Sequence, residues 1–333
     1  MAASVITVPP GTVEQDLPAL LGEPARALRR GALVAFPTET VYGLGADALD
    51  PAAVERIFHA KGRPADNPLI VHLPDAAWLG RVVAHVTPLA RRLAERWWPG
   101  PLTLVLDAAD VVPRVTTGGL STVAVRVPAN PLARTLIAVA GTPVAAPSAN
   151  LSGRPSPTTA AHVQADLGGR IDWILDGGPC PVGIESTVVD ARGDAPVVLR
   201  EGTVTREDLG VDVTAESGSP LSPGTRFAHY QPSARVVVAS AGQGGDVAAE
   251  IAERQTTGLI GPTLPGLDPR VSVLASPLGA AELATVLYDA LRQADVRGLD
   301  VVVVEAVPSH GLGRAVMDRV RRAAGGGGVV PTG

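Results

Sequence analysis

The feature that most constrains this chain is a repeated pairing of a short apolar run, of strand length, with a stretch of helical spacing. GALVAF (31–36) leads to Asp50-Pro51, an N-cap followed by a first-turn proline, with Val54, Ile57 and Phe58 beyond it at helical spacing. LIVHL (69–73) precedes Thr87-Pro88, which opens a helix carrying Leu89, Leu93 and Trp97 on one face. LTLVL (102–106), VAVRV (123–127), PVAA (143–146), STVVD (186–190) and PVVL (196–199) continue the strands to about residue 205. So many strands exclude a helical protein, and their alternation with helices predicts α/β architecture.

The pattern stops at residues 211–233, where Gly, Ser and Pro punctuate a stretch with no sustained period, as in an interdomain linker. Arg226, Phe227, His229 and Tyr230 at its end give it groups that can pack against something. Strand-like runs resume at ARVVVAS (234–240), TGLIG (257–261), VSVLA (271–275) and LDVVVVEA (299–306), with helical periods over 246–254, 278–296 and 312–324. The expectation is a catalytic domain at 1–210, a linker or lid at 211–233, and a smaller, mostly parallel α/β domain at 234–333 ending in a disordered Gly-rich tail. A chain of 333 residues also exceeds the size at which single cores stop growing.

Composition narrows the function. Hydrophobic residues at 46% and charged residues at 18% supply buried sheets and exclude a largely disordered chain. A net charge of −5, with no long Lys/Arg run and clusters such as Arg91-Arg92 and Arg319 to Arg322 the nearest to one, argues against binding nucleic acid through phosphates. Both basic clusters read as solvated faces of amphipathic helices. The single cysteine, Cys180, rules out an internal disulfide and a Cys-rich zinc site. With no secretory signal and no apolar run near membrane-spanning length, the chain reads as cytoplasmic.

Polar residues gather just after strands in the first domain, where ligands of open α/β sheets bind. PTETVYGLGA (37–46) offers two threonines, a glutamate and a tyrosine before a Gly-rich turn. In AKGRPADNPL (60–69), Lys61 and Arg63 can converge on one anion. APSANLSGRPSPTT (146–159) presents Ser148, Asn150, Ser152 and Ser156 in a loop able to cradle phosphate through outward N–H groups, although the chain has no P-loop. Arg126 lies inside an apolar strand and needs a carboxylate from the protein or a ligand. His72 shows the same oddity, although a lone histidine in a strand is more often a satisfied core residue. GQGGDV (242–247) lacks a dinucleotide fingerprint and reads as an ordinary turn. The histidines have no metal-ligand spacing, so no protein metal site is expected; a divalent ion would arrive with nucleotide phosphates.

In the order PTETVYGLG, KGRP with NPL and a histidine, an Arg-bearing strand, PSANLSG, ESTVVD and LREG, these motifs resemble the YrdC-like threonylcarbamoyl-AMP synthases. SPGTRFAHYQP and the C-terminal GLGRAVMDRVRRAA look like the two-domain form of that family, so the resemblance spans nearly the whole chain. It implies a twisted open YrdC-like α/β sheet domain followed by a smaller Rossmann-like one. It also implies a nucleotidyltransferase that makes threonylcarbamoyl-AMP from L-threonine, bicarbonate and ATP·Mg²⁺, for threonylcarbamoyladenosine in tRNA. By matching position, Lys61 and Arg63 would be the catalytic pair. Together with Asn67, Thr122, Ser148, Asn150, Ser156, Arg200 and Tyr230, they would bind ATP. Thr40, His72, Arg126, Ser186 and the main chain at Ala146 would hold threonine. A tRNA threonylcarbamoyl-transferase complex would be the downstream recipient, with only weak or indirect tRNA contact. Thr225 departs from the pattern, standing where an apolar Met is expected after SPG.

Two other readings stay open from residues alone. An RNA-binding module of the same fold without turnover conflicts with the acidic balance and the absence of a basic aromatic patch. A carbamoyltransferase of the kind that matures hydrogenases would need a zinc-finger segment that one cysteine cannot supply.

Overall fold

The structure is a computed structural model that describes residues 2–9, 11–211, 230–263 and 265–325. Expectations placed on Thr225, Arg226, Phe227 and His229, on most of the linker and on the Gly-rich tail lie outside the described residues. The described chain forms two compact units. The first has the bounds Met1–Ser152, Pro157–Pro181 and Glu185–Arg226; the second has Gly153–Ser156, Val182–Ile184 and Phe227–Gly333.

The first unit runs β1 (Ser4–Thr7), α1 (Leu17–Arg29), β2 (Val34–Phe36), β3 (Gly43–Asp47), α2 (Pro51–Lys61), β4 (Ile70–His72), α3 (Pro88–Trp97) and β5 (Leu102–Asp107). It continues with β6 (Thr122–Arg126), α4 (Pro131–Ala140), β7 (Val144–Ala145), α5 (Ala160–Leu167), β8 (Trp173–Asp176), β9 (Thr187–Asp190), β10 (Val197–Arg200) and α6 (Arg206–Leu209). Ten strands make one mixed sheet in the order β1-β8-β2-β3-β7-β4-β6-β5-β9-β10. Helices α2 and α3 start as the sequence leads one to expect, and α4, which was not read from the sequence, starts in the same way. Asp50, Thr87 and Asn130 accept from backbone N–H groups of the first turn, and a proline follows each.

Side chains alternate across this sheet, and the alternation sorts the residues into two populations. Val71, Val123, Val125, Leu102, Leu104, Leu106 and Val189 point into the main core beneath α2, α3 and α5. Ile70, Val105, Ala124, Val188 and Leu199 form a separate small cluster on the opposite face. Thr122 and Arg126 share the parity of Ala124 and so stand on that second face. His72 does too, because β4 and β6 pair in parallel with Ile70 opposite Ala124 and His72 opposite Arg126.

The sequence reading left β1, β8, α1, α4, α5 and α6 unread, and one segment it did read takes another form. GLGA, expected as a turn, is strand β3, paired antiparallel with β2 and β7. Glycine is needed here for space: a Cβ on Gly45 would lie 2.7 Å from Phe36 Cε1 and 2.8 Å from Val144 Cγ1. Glycine in a strand marks such close approach.

The second unit contains β11 (Arg235–Ala239), α7 (Gly244–Ala252), β12 (Thr257–Ile260), β13 (Val271–Ala275), α8 (Ala280–Val296), β14 (Val301–Glu305) and α9 (Leu312–Ala323). Its four strands are all parallel, in the order β11-β14-β12-β13, with Val237, Leu259, Val271, Val301 and Val303 in its core. GQGGDV is the entry to α7, where Gly244 N–H donates to Glu305 Oε2 at 2.9 Å. The solvated-face reading holds at the exposed Arg91 and Arg92 and fails at Arg319, which is fully buried. The helical period puts Arg319 on the side of Ala315 and Val316. There its guanidinium reaches Asp318 Oδ2 at 3.2 Å and lies 6.0 Å from the Tyr230 ring. Among the described residues no helix is long and apolar enough to cross a membrane.

Candidate active site

The small apolar cluster of the first unit is the floor of a polar site. Arg126, 4% exposed, ends β6 with its side chain on this face. Its Nη2 faces Glu39 Oε1 at 2.8 Å, Nη1 donates to Thr40 Oγ1 at 3.0 Å, and Nε donates to the Gly100 carbonyl at 3.2 Å. The carboxylate that a buried arginine requires is thus supplied by the protein. The Thr40 hydroxyl is 2.8 Å from that of Thr38, whose own hydroxyl donates to Val41 O and closes the loop on itself.

His72 lies beside Arg126 in the next strand, with Nδ1 3.2 Å from Ile70 O and its ring edge-to-face with Phe36. Burial, reinforced by the Arg126 charge, pushes its pKa down to about 3, so the imidazole is neutral at physiological pH. Ala146 N donates to Ile70 O at 2.9 Å, which ties the 146–152 loop to the same strand.

On the far side of the floor, Ser186 Oγ is 2.8 Å from Thr103 Oγ1. Arg200 Nη2 donates to Ser186 O at 2.8 Å and to Ser186 Oγ at 3.1 Å. A bulge between Val198 and Arg200 lets Leu199 join the floor while Arg200 turns to Ser186. Gly202 completes this corner, because a Cβ there would lie 2.2 Å from Thr187 N.

Lys61 is the last residue of α2 and only 2% exposed; Gly62 follows it in the left-handed conformation, with φ 62°, that ends the helix. Its ammonium donates to Ser148 O at 2.5 Å and to Asn150 O, and Lys61 O accepts from Ser152 N at 2.9 Å. Ser148 Oγ donates to Asn150 Oδ1 at 2.6 Å. The loop therefore shows a cation bound to its carbonyls. Its N–H groups are not all turned outward as the sequence reading had them: Ala149 N donates to Tyr42 O and Ser152 N to Lys61 O. Arg63 donates to the carbonyls of Asn67 (3.3 Å) and Pro68 (3.1 Å), just before β4.

Not every expected residue meets the others. Thr122 starts β6, about 13 Å along the strand from Arg126 and level with the Asn67–Pro68 segment by the register. Ser156 and Tyr230 belong to the second unit. There Tyr230 is 6% exposed with φ 68°, its ring stacked on Tyr288 at 5.2 Å; Arg292 Nη2 donates to Pro155 O at 2.5 Å. Sequence reasoning noted the glutamate of PTETVYGLGA without giving Glu39 a role, and missed Thr103. The parity of LTLVL, which sets Thr103 opposite the core leucines, was the available signal for Thr103.

Residues 26–202 match the Sua5_yciO_yrdC family model, described as "Telomere recombination", and this span is more than half of the chain. The chain belongs to the Sua5/YciO/YrdC family. Residues 195–325 match a second model, described as "Threonylcarbamoyl-AMP synthase, C-terminal domain". The threonylcarbamoyl-AMP synthase of Pyrococcus abyssi is 46% identical over 316 residues, covering 90% of this chain and 92% of that protein. The synthase of Bacillus subtilis is 42% identical over 334 residues, covering 92% and 93%. The crystal structure of P. abyssi Sua5 complexed with L-threonine has a TM-score of 0.86 at 43% identity, covering 96% of this chain and 97% of that one. The two-domain Sua5 architecture, a YrdC-like unit with a smaller parallel α/β unit, is the architecture found here.

Proposed function

We propose that this chain is a nucleotidyltransferase that joins L-threonine, bicarbonate or CO₂, and the AMP part of ATP into threonylcarbamoyl-AMP, releasing pyrophosphate. The observation that carries the reading is the buried Arg126 beside His72 and Thr40 on one sheet face, in a chain whose relatives over nine-tenths of its length are threonylcarbamoyl-AMP synthases. Arg126 takes the threonine carboxylate. Thr40, Ser186, neutral His72 and the main chain at Ala146 surround the rest of the amino acid with donors and acceptors rather than a second charge. Lys61, Arg63, Ser148 and Asn150 bind the triphosphate; Asn67, Thr122, Ser156, Arg200 and Tyr230 bind the remainder of the nucleotide.

The reaction has two stages. The threonine amine captures CO₂ to give a carbamate, and a carbamate oxygen then attacks the α-phosphorus and expels pyrophosphate. Lys61 and Arg63 act by charge on the leaving group, since nucleotidyl transfer depends mainly on positioning and electrostatics. The phosphate set offers amines, guanidinium, hydroxyl and amide rather than carboxylates. Magnesium therefore enters as part of the ATP substrate. The product supplies threonylcarbamoyladenosine formation in tRNA through a separate transferase, and the chain works in the cytoplasm. The border at 211–233 and the catalytic assignment of 1–210 belong to the same proposal.

The test is pyrophosphate release from ATP, Mg²⁺, bicarbonate and L-threonine, with each component omitted in turn. Release that needs both threonine and bicarbonate, and falls at least about 100-fold in Lys61→Ala or Arg63→Ala, supports the synthase. Release without threonine, or none from folded protein that shifts tRNA, would put the RNA-binding reading ahead. Full turnover after deletion of 234–333 would remove any catalytic part for that segment, and unchanged nucleotide affinity in Tyr230→Ala and Ser156→Ala would remove those two contacts.

A further inference from the structure

Glu39 has no role in the reading above, yet it is the group nearest the Arg126 charge. It is 8% exposed and carries its carboxylate 2.8 Å from Arg126 Nη2. Among the described residues neither of its oxygens accepts a hydrogen bond, and Arg126 Nη2 meets it only as an ion pair. A buried carboxylate would ordinarily gather two or three donors, so this one is held by charge and left open in direction.

Threonine enters as a zwitterion. When its carboxylate takes Arg126, Glu39 loses its counter-ion, and a buried unpaired carboxylate is costly. The charges balance again only if the threonine ammonium turns to Glu39. The geometry fits, because the amino nitrogen and nearer carboxylate oxygen of an α-amino acid are about one hydrogen bond apart, as Glu39 and Arg126 are. That ammonium must lose a proton before its nitrogen can attack carbon.

We propose that Glu39 is the catalytic base of the first stage, binding the threonine ammonium and accepting its proton; this rests on the synthase reading. One N–H proton passes to a Glu39 oxygen. The freed lone pair forms the N–C bond to CO₂, and a C=O π pair moves onto oxygen. A second N–H proton then leaves to water, so threonine and CO₂ yield the carbamate and two protons, one of them held on Glu39 until product leaves. The neighbours that face this carboxylate do not interfere. His72 stays neutral above about pH 3, and the Cys180 thiol, pushed up to about 12 mainly by burial, stays protonated.

The test compares wild type, Glu39→Gln and Glu39→Asp in threonine binding by calorimetry and in pyrophosphate release from about pH 6 to pH 9. Wild type is expected to prefer L-threonine over its 2-hydroxy analogue, which lacks the ammonium, and Glu39→Gln to lose that preference. Its kcat is expected to fall about 100-fold or more, recovering about tenfold per pH unit as the amine deprotonates unaided. Glu39→Asp keeps the charge and the fold; it is expected to keep the preference for threonine and lose rate. Glu39→Gln that retains both the preference and kcat within about threefold overturns the proposal. So does a Glu39→Gln defect confined to KM with a flat pH profile. Absence of threonine binding or threonine-dependent release in wild type would instead overturn the synthase reading.

Discussion

At the scale of single residues, this site is built on a charge that cannot be left alone. Arg126→Ala would strand the Glu39 carboxylate in a buried place, with an expected loss of about 3–5 kcal/mol in urea denaturation and abolished threonine binding. The double variant Arg126→Met with Glu39→Met should regain much of that stability and none of the binding, because an apolar pair replaces a buried ion pair at little cost. His72 gives a pH signature of known sign. Unfolded, it takes up a proton near pH 6.5; folded, it resists until about pH 3, so its presence lowers stability as pH falls through that window. His72→Asn should therefore lose less stability than wild type between about pH 7 and pH 4, which denaturation midpoints at the two values would reveal. Arg126 and His72 were legible in the sequence because each interrupts an apolar run. Glu39 was not, since a glutamate between two threonines in a polar loop carries no mark of burial.

Among the elements, most strands and the helices α2, α3, α7, α8 and α9 followed from period and caps, while β1, β8, α1, α4, α5 and α6 were not read. Asp50 and Thr87 announce their helices through side-chain chemistry that acts within a few residues of the cap, a signal that Asn130 also carries and that went unread. Strand β3, read as a turn, shows the limit of local reasoning. Two glycines in a polar motif read as a turn until the Phe36 and Val144 side chains that need the space are known. Gly45→Ala is expected to cost about 1–3 kcal/mol in chemical denaturation through overpacking, although alanine suits a strand no worse than glycine. The bulge in β10 was equally invisible, because it follows from the register between β9 and β10 rather than from any residue within either strand.

For the whole molecule, two α/β units were readable from two successive series of strand-like and helical patterns, while the buried state of Arg319 depended on packing within the second unit. The optical and chemical reporters are divided unequally between them. Trp78, Trp97, Trp98 and Trp173, and the single Cys180, all belong to the first unit. Tryptophan fluorescence and thiol labelling under denaturant should give one shared midpoint for that unit. Labelling of folded protein should be slow, since the thiol is buried and held protonated. The alternation that sends Val71, Val123 and Val125 to the core, and Ile70, Ala124 and Arg126 to the site, has a consequence for change over time. Every second letter of these strands answers to the main core, and under the proposed function the letters between answer to the ligand. A lineage, or a mutagenesis library restricted to Ile70, Ala124 and Leu199, can vary which amino acid rests on the floor while leaving the letters that keep the chain folded untouched.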